Sequence, residues 1–91
     1  MNNDEMKVIK TNDFVICLAV IDTFNIAYCS STGIIELINL YDNTVKPSLN
    51  LSCFTCEFKK TSRNDWVAAT QKGLKFFSYD AVYHLFIPSS V

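Results

Sequence analysis

The chain has 91 residues, a formal net charge of −1 and a hydrophobic fraction of 49%. That length fits one domain at most, and such an apolar composition predicts a packed core rather than disorder. The 8 lysine and arginine residues are scattered, so we expect no basic nucleic-acid-binding face. The apolar run that begins at Phe14 is interrupted by Asp22, too early for a membrane-spanning helix.

The first twelve residues are polar and charged, and we predict a flexible segment over 1–12, with a short strand at Lys7–Lys10 as an option. Residues 1–5 are acidic and polar, unlike a signal peptide or a mitochondrial presequence. We therefore expect a cytoplasmic chain whose four cysteines are thiols.

The first unit of the chain has the apolar runs and turn residues of a small sheet. Its strands are predicted at Phe14–Val20, Asn25–Ser30, Ile34–Asn39 and Thr44–Leu51. The near-continuous apolar character of Phe14–Val20 favours a strand buried on both faces. Gly33 can take the positive φ that a tight turn requires. Pro47 lacks a backbone donor, so its strand should lie at an edge of the sheet.

The second unit repeats this order. Its strands are predicted at Cys53–Phe58, Trp66–Thr70, Leu74–Tyr79 and Ala81–Ile87, with Gly73 at the turn that matches Gly33. The aromatic residues of the unit are interpreted as core, since the basic groove of a base-stacking platform is missing. These are Phe58, Trp66, Phe76, Phe77 and Tyr79.

The repeat itself is the strongest signal in the sequence. Three short apolar strands recur in a fixed order about 38–41 residues apart, which predicts two blades of a β-propeller. We place blade 1 at 13–51, blade 2 at 52–88 and a tail at 89–91. Two blades are too few to close a ring of about 4–8. The expectation is an all-β fragment, one part of an assembly, or a divergent remnant of a larger propeller.

Three stretches resemble the WD-repeat propeller family, and within it the amino-terminal blades of the coatomer beta-prime family. The first is Thr32–Asn39, a glycine turn leading into an alternating strand, and the second is Thr44-Val45-Lys46. The third is Asn64–Ala68 followed by Gly73–Tyr79 and Leu85-Phe86. The likeness covers about residues 14–86. The Trp-Asp pair that closes the third strand of WD repeats is replaced by Ile38-Asn39 and by Phe77-Ser78.

The resemblance implies a non-enzymatic scaffold of a vesicle coat, acting in Golgi-to-ER protein transport. Its partners would be protein subunits of a coat or scaffold complex, with peripheral association to Golgi or vesicle membranes through that complex. No cofactor, metal, nucleic acid or small-molecule substrate is implied. The family's basic residues that bind the carboxylate of dilysine cargo are replaced here by Phe14, Ile16 and Phe54. Because apolar side chains cannot bind a carboxylate, we assign the cargo site to no residue.

Two residue patterns raise the question of chemistry. Cys53 and Cys56 form a C-x-x-C that Cys17 and Cys29 could complete as a zinc or redox site. Residues three apart on a strand point to opposite faces, so four structural thiols are the favoured interpretation. The single histidine, His84, alternates with apolar neighbours and is expected to face solvent on an outer strand.

Three further patterns are interpreted as silent. The basic loop Lys59–Arg63 is expected to be a solvated turn rather than a lipid or protein contact. Asn50-Leu51-Ser52 has the form of a glycosylation acceptor but follows no signal peptide. The terminal Ser89-Ser90-Val91 has the form of a peptide ligand for a sheet edge, but three residues carry little information, and truncation of a longer chain would explain them as well.

Two alternatives stay open from the residues. One is a propeller scaffold of another pathway, for which the same blades would serve. The other is a small closed β-barrel, either an enzyme or a nucleic-acid-binding domain. A barrel would be a stable monomer without edges, whereas a pair of blades should aggregate or recruit further blades.

Overall fold

The computed structural model describes residues 6–89. Residues 1–5 of the predicted flexible segment and residues 90–91 of the predicted tail lie outside that range. The strands are β1 (Val15–Val20), β2 (Asn25–Ser30), β3 (Ile34–Asn39), β4 (Val45–Asn50), β5 (Thr55–Lys60), β6 (Asp65–Thr70), β7 (Gly73–Asp80) and β8 (Leu85–Pro88). The optional strand at Lys7–Lys10 does not form.

The eight strands form two separate sheets. Each is antiparallel and four-stranded, in the orders β1-β2-β3-β4 (blade 1) and β5-β6-β7-β8 (blade 2). The predicted all-β fold of two propeller-like blades is therefore confirmed. The closed-barrel alternative is wrong for the described residues, because no strand of one sheet pairs with a strand of the other. Pro47 lies in β4 at an edge of its sheet, as its missing donor predicts.

Strand pairing defines how the two blades correspond. Both carry a β-bulge near the start of the first strand, after Val15 in β1 and after Thr55 in β5. Val15 is thus the counterpart of Thr55. The predicted strand Cys53–Phe58 is wrong by two residues at each end. The apolar side chains of Cys53 and Phe54 belong to the link between the blades and were mistaken for the start of the strand.

The core lies between the two sheets, which pack with β1 beside β5 and β4 beside β8. Blade 1 contributes small and aliphatic side chains, and blade 2 contributes an aromatic cluster. The buried cluster is Ala27, Cys29, Ile35, Leu37, Leu51, Phe58, Trp66, Ala68, Phe77, Tyr79 and Phe86. Ring centroids of Phe86 lie 5.4 Å from Trp66 and 5.2 Å from Phe77, in edge-to-face arrangements.

Polar contacts fix how the blades sit on each other. The Lys75 ammonium donates a hydrogen bond to the backbone oxygen of Leu51 at 2.8 Å. The backbone N–H of Phe86 in β8 donates to the Ser48 hydroxyl in β4 at 2.6 Å. One hydrogen bond between the outer strands β4 and β8 and a second one at the linker hold the two sheets in one orientation.

Three side-chain environments differ from the sequence prediction. β1 was predicted to be buried on both faces, but Leu18 and Val20 are 61% and 67% exposed. Phe76 was assigned to the core and is 57% exposed. Both errors have the same cause, since each blade packs on the other blade through one face only. The second face is open on blade 2, and on blade 1 it is covered only in part, with Tyr28 and Ile38 buried and Leu18 exposed. The predicted strand Ala81–Ile87 begins at Leu85, because Asp80 holds the preceding residues in a turn.

Candidate interaction surfaces

An open sheet face lies on the side of blade 2 that points away from blade 1. This blade 2 face consists of Val67, Ala69, Leu74, Phe76 and Ile87. Val67 pairs with Phe76 and Ala69 with Leu74 in the ladder between β6 and β7, so the side chains form a continuous surface. Leu74 is 67% exposed. A contiguous exposed apolar surface of this kind is a candidate for an interaction site.

A groove lies on the opposite side of the molecule, on the face of blade 1 that points away from blade 2. Leu18 is exposed on this face, whereas Tyr28 and Ile38 are buried. Its volume is 300 Å³. We call it the blade 1 groove; one wall is the extended segment Lys7–Thr11, and the floor is the sheet. The lining side chains are Lys7, Ile9, Thr11, Val15, Leu18, Ile26, Tyr28, Ile38 and Leu40. The lining is predominantly apolar, as in most sites that take a ligand or a partner.

A buried carboxylate lies beside this groove. Glu36 is 4% exposed and accepts a hydrogen bond from the Tyr28 hydroxyl. The Asn12 amide donates to its second oxygen at 3.4 Å, which ties the amino-terminal segment to the sheet. Burial, reinforced by the neighbouring Glu36, raises the pKa of Tyr28. The phenol therefore stays protonated and remains the donor that this carboxylate requires.

A third surface is formed by turns at one end of the blades. This surface, which we call the aromatic rim, consists of three aromatic side chains and one valine, all more than half exposed: Phe24, Tyr41, Tyr83 and Val82. The Phe24 and Tyr41 rings meet edge to face with centroids 6.2 Å apart. The β7–β8 turn of blade 2 lies at the same end, because its residue His84 lines a cavity of 150 Å³ together with Asn25, Asn39 and Thr44 of blade 1.

Side-chain caps hold the rim turns rigid. The Asp22 carboxylate accepts hydrogen bonds from the backbone N–H groups of Phe24 and Asn25, both at 2.9 Å. The Phe24 N–H bond is the main reason that the pKa of Asp22 lies below its usual value. Asp80 plays the corresponding part in blade 2, accepting from Val82 at 2.9 Å and from Tyr83 at 3.1 Å. Such turns present their aromatic side chains without a large loss of backbone entropy on binding.

The sequence did not predict the rim. Its four side chains lie in segments that were assigned to turns, a loop or an outer strand. A single apolar residue in such a segment does not by itself indicate an interaction surface. The available signal was the pairing of each with an Asp or Asn two or three positions away, which is typical of side-chain-capped turns.

His84 is exposed, as predicted, but lies in the β7–β8 turn rather than on a strand, with a φ of 54°. Its Nδ1 is 3.2 Å from the Tyr79 hydroxyl. That contact pairs a phenol with an imidazole, and it gives His84 neither a serine or cysteine nucleophile nor a carboxylate as its partner.

The four cysteines are free. Cys17 and Cys29 face each other across β1 and β2, and Cys53 is buried in the linker, whereas Cys56 is exposed. Burial raises the pKa of the Cys17 thiol to about 11 and also raises the pKa of Cys29. Within residues 6–89 no three His, Cys, Asp or Glu side chains are grouped as metal ligands. The arrangement fits thiols that pack as small apolar groups.

The three residues that the coatomer resemblance would place at cargo-binding positions lie at the end of the blades opposite the rim. Phe14, Ile16 and Phe54 are exposed, at 79%, 39% and 42%. The backbone oxygen of Phe14 accepts from Ser31, and that of Phe54 accepts from Gln71 in the equivalent turn. No cation stands among these three side chains to bind a carboxylate.

Comparisons with family models, with curated proteins and with solved structures return no match for this chain. Residues 6–89 contain no helix with the length and apolar character needed to cross a membrane. The interaction surfaces therefore have to be interpreted from their own chemistry.

Proposed function

We propose that this protein is a non-enzymatic scaffold that presents the aromatic rim to protein partners. The observation that carries the proposal is the exposure of Phe24, Tyr41 and Tyr83 on turns whose backbone is held by the side-chain oxygens of Asp or Asn residues. Tyrosine and phenylalanine are enriched at protein interfaces, and tyrosine is among the residues that carry most of the binding energy. A rim with preformed turns would spend little free energy on ordering when a partner binds.

The partners that we propose are subunits of a vesicle coat, and the chain would then act in Golgi-to-ER protein transport. Support for this assignment comes from the resemblance of residues 14–86 to the amino-terminal blades of the coatomer beta-prime family. The two-blade architecture is compatible with that resemblance, although blades serve many unrelated pathways. In this proposal the chain is cytoplasmic and reaches Golgi or vesicle membranes through its partner subunits.

Capture of cargo tails is not part of the proposal. The side chains at the three relevant positions, Phe14, Ile16 and Phe54, offer no positive charge. A dilysine tail ends in a carboxylate that requires charge-assisted hydrogen bonds. The coat role would therefore be structural, through contacts between subunits.

The test is affinity purification of the tagged full chain from cells, with coat subunits quantified in the eluate. We expect coat subunits to co-purify with the wild-type chain and to be lost with the double substitution Tyr41→Ser and Tyr83→Ser. The control is Leu74→Ser, which changes an equally exposed apolar side chain on the blade 2 face. It should retain the coat subunits.

Recovery of a different complex in a rim-dependent manner would overturn the coat assignment in favour of a scaffold of another pathway. Coat subunits recovered equally well with the rim variant would overturn the rim as the binding surface.

A further inference from the structure

We infer that two copies of this chain associate head to tail, with the blade 2 face of one copy packed into the blade 1 groove of the next. The inference goes beyond the proposed scaffold function and requires neither the aromatic rim nor a coat. It rests on the correspondence between the two blades, which gives each open face a packed counterpart within the same chain.

The blade 2 face is the counterpart of the blade 1 surface that is already buried. Strand pairing matches Val67 and Phe76 with Ala27 and Leu37, since both pairs sit at the same place in the ladder between the second and third strands. Leu37 is 5% exposed because blade 2 covers it, while its counterpart Phe76 is open. The blade 2 face therefore has the construction of a surface that receives another sheet.

The blade 1 groove is the counterpart of the aromatic surface that blade 2 uses for this contact. Ile26 pairs with Ile38 as Trp66 pairs with Phe77. The aromatic pair packs onto blade 1 within the chain. The isoleucine pair is smaller and lines the groove, where Ile38 is 4% exposed and lies beside residues of the amino-terminal segment.

The sizes of the two open faces compensate for each other. Within the chain, a small blade 1 surface meets a large aromatic surface. Between copies, the groove side is smaller because isoleucines replace Trp66 and Phe77. The blade 2 face is correspondingly larger, with Phe76 in place of Leu37 and Val67 in place of Ala27. Large side chains facing small ones across a contact are what interior packing density requires.

Charge does not oppose this contact. Glu57 and Lys59 flank the blade 2 face on β5, with their charged groups 3.6 Å apart, so they add no net charge. Within residues 6–89, Lys7 is the one charged side chain that lines the blade 1 groove, so no pair of like-charged surfaces meets in this contact. Two predominantly apolar surfaces of this kind favour association through the hydrophobic effect. An unrelated partner would have to match the groove by chance, whereas a second copy carries the matching face by construction.

The contact joins different surfaces on the two copies, so it is heterologous. A heterologous contact closes into a ring when the rotation between copies allows it. Two to four copies would supply about 4–8 blades, the range in which propeller rings close. The inference therefore predicts a small closed oligomer rather than an unlimited aggregate.

The test is the molar mass of the full chain in solution, measured by light scattering and sedimentation over a range of concentrations. We expect the wild-type chain to be oligomeric. Phe76→Glu on the blade 2 face and Leu18→Glu in the blade 1 groove should each give monomers. Leu74→Lys is a second variant of the blade 2 face, and circular dichroism and urea unfolding of every variant verify that it is folded.

Mixing the two single variants gives the sharpest result. The Leu18→Glu copy keeps an intact blade 2 face, and the Phe76→Glu copy keeps an intact groove. Together they should form a 1:1 dimer through the one interface that both substitutions leave untouched. A mixture that stays monomeric would overturn the head-to-tail arrangement. So would an oligomer that only Phe76→Glu disrupts, since that points to two blade 2 faces in mutual contact.

A wild-type chain that stays monomeric at all concentrations would also overturn the inference, and would leave the face for a sheet of a different protein. The rim variant Tyr41→Ser and Tyr83→Ser separates the two proposals. It should lose coat subunits yet keep its oligomeric mass, so either proposal can fail without the other.

Discussion

Gly33 lies directly against the backbone of Cys53, and this contact joins the turn of blade 1 to the linker between the blades. A Cβ atom on Gly33 would overlap the carbonyl oxygen of Cys53 and lie 3.0 Å from its carbonyl carbon and its nitrogen. Gly33 also has a φ of 88°. The residue is therefore required twice, for its conformation and for the space that a side chain would fill.

Substitution of this glycine separates the two requirements. Gly73 has a φ of 109°, and a Cβ atom added there would meet nothing within 4 Å, so Gly73→Ala should cost only the conformational strain. That strain is about 1–2 kcal/mol. Gly33→Ala should cost about 1–3 kcal/mol more, because the linker must move. Urea unfolding followed by Trp66 fluorescence measures both. Equal losses would show that the linker yields freely.

The sequence predicted the strands and their order because each depends on local chemistry. Turn glycines, apolar runs and the proline in β4 can each be recognised within a single short segment of the sequence. It failed where the answer depends on a neighbouring sheet. The exposed and buried aromatic residues Phe76 and Phe77 are adjacent and similar, and only the packing of blade 2 on blade 1 distinguishes them.

The candidate site was still harder to predict. The blade 2 face and the aromatic rim consist of ordinary apolar side chains whose significance is their exposure, and exposure is a property of the folded chain. The bulge after Thr55 is similarly invisible, because Cys53 and Phe54 extend the apolar pattern past the true start of the strand.

Phe86 should be among the costliest residues to truncate. It is 2% exposed and contacts Trp66, Phe77 and Tyr79 at ring-centroid distances of 5.2–5.4 Å. Phe86→Ala should lower the free energy of unfolding by about 3–5 kcal/mol. Val82→Ala, at an exposed position nearby, should change it by less than about 0.5 kcal/mol. A small loss for Phe86→Ala in urea unfolding would mean that the aromatic cluster repacks.

The Tyr28 hydroxyl is expected to matter more than that of Tyr79. Tyr28→Phe removes the donor to the buried Glu36 carboxylate and should cost about 1–3 kcal/mol. Tyr79→Phe removes only a 3.2 Å contact with the exposed His84 and should cost less than about 1 kcal/mol. Thermal unfolding of both variants tests the order. The reverse order would contradict the assignment of Glu36 to a site that needs this donor.

Thiol reactivity should divide the four cysteines into one fast group and three slow ones. Cys56 is exposed. Burial raises the pKa of Cys17 and of Cys29. Cys53 is buried within the linker. Because the thiolate is the reactive form, iodoacetamide at neutral pH should modify Cys56 first. Mass spectrometry of the modified peptides identifies the site, and Cys56→Ala should remove the fast phase. Fast modification of Cys17 would contradict its burial.

The same thiols predict a loss of stability at alkaline pH. The pKa of Cys17 is about 11 in the folded chain against 9.0 for an unburied thiol, so the folded state holds its proton more tightly than the unfolded state. Below pH 9 both states are protonated and the stabilisation is complete. Between pH 9 and about 11 only the unfolded thiol ionises, and the free energy of unfolding should fall. Cys17→Ala should show a shallower decline over this interval in urea unfolding than the matched control Cys56→Ala, because lysines and tyrosines titrate equally in both. Identical slopes for the two variants would rule out Cys17 as a source of the alkaline instability.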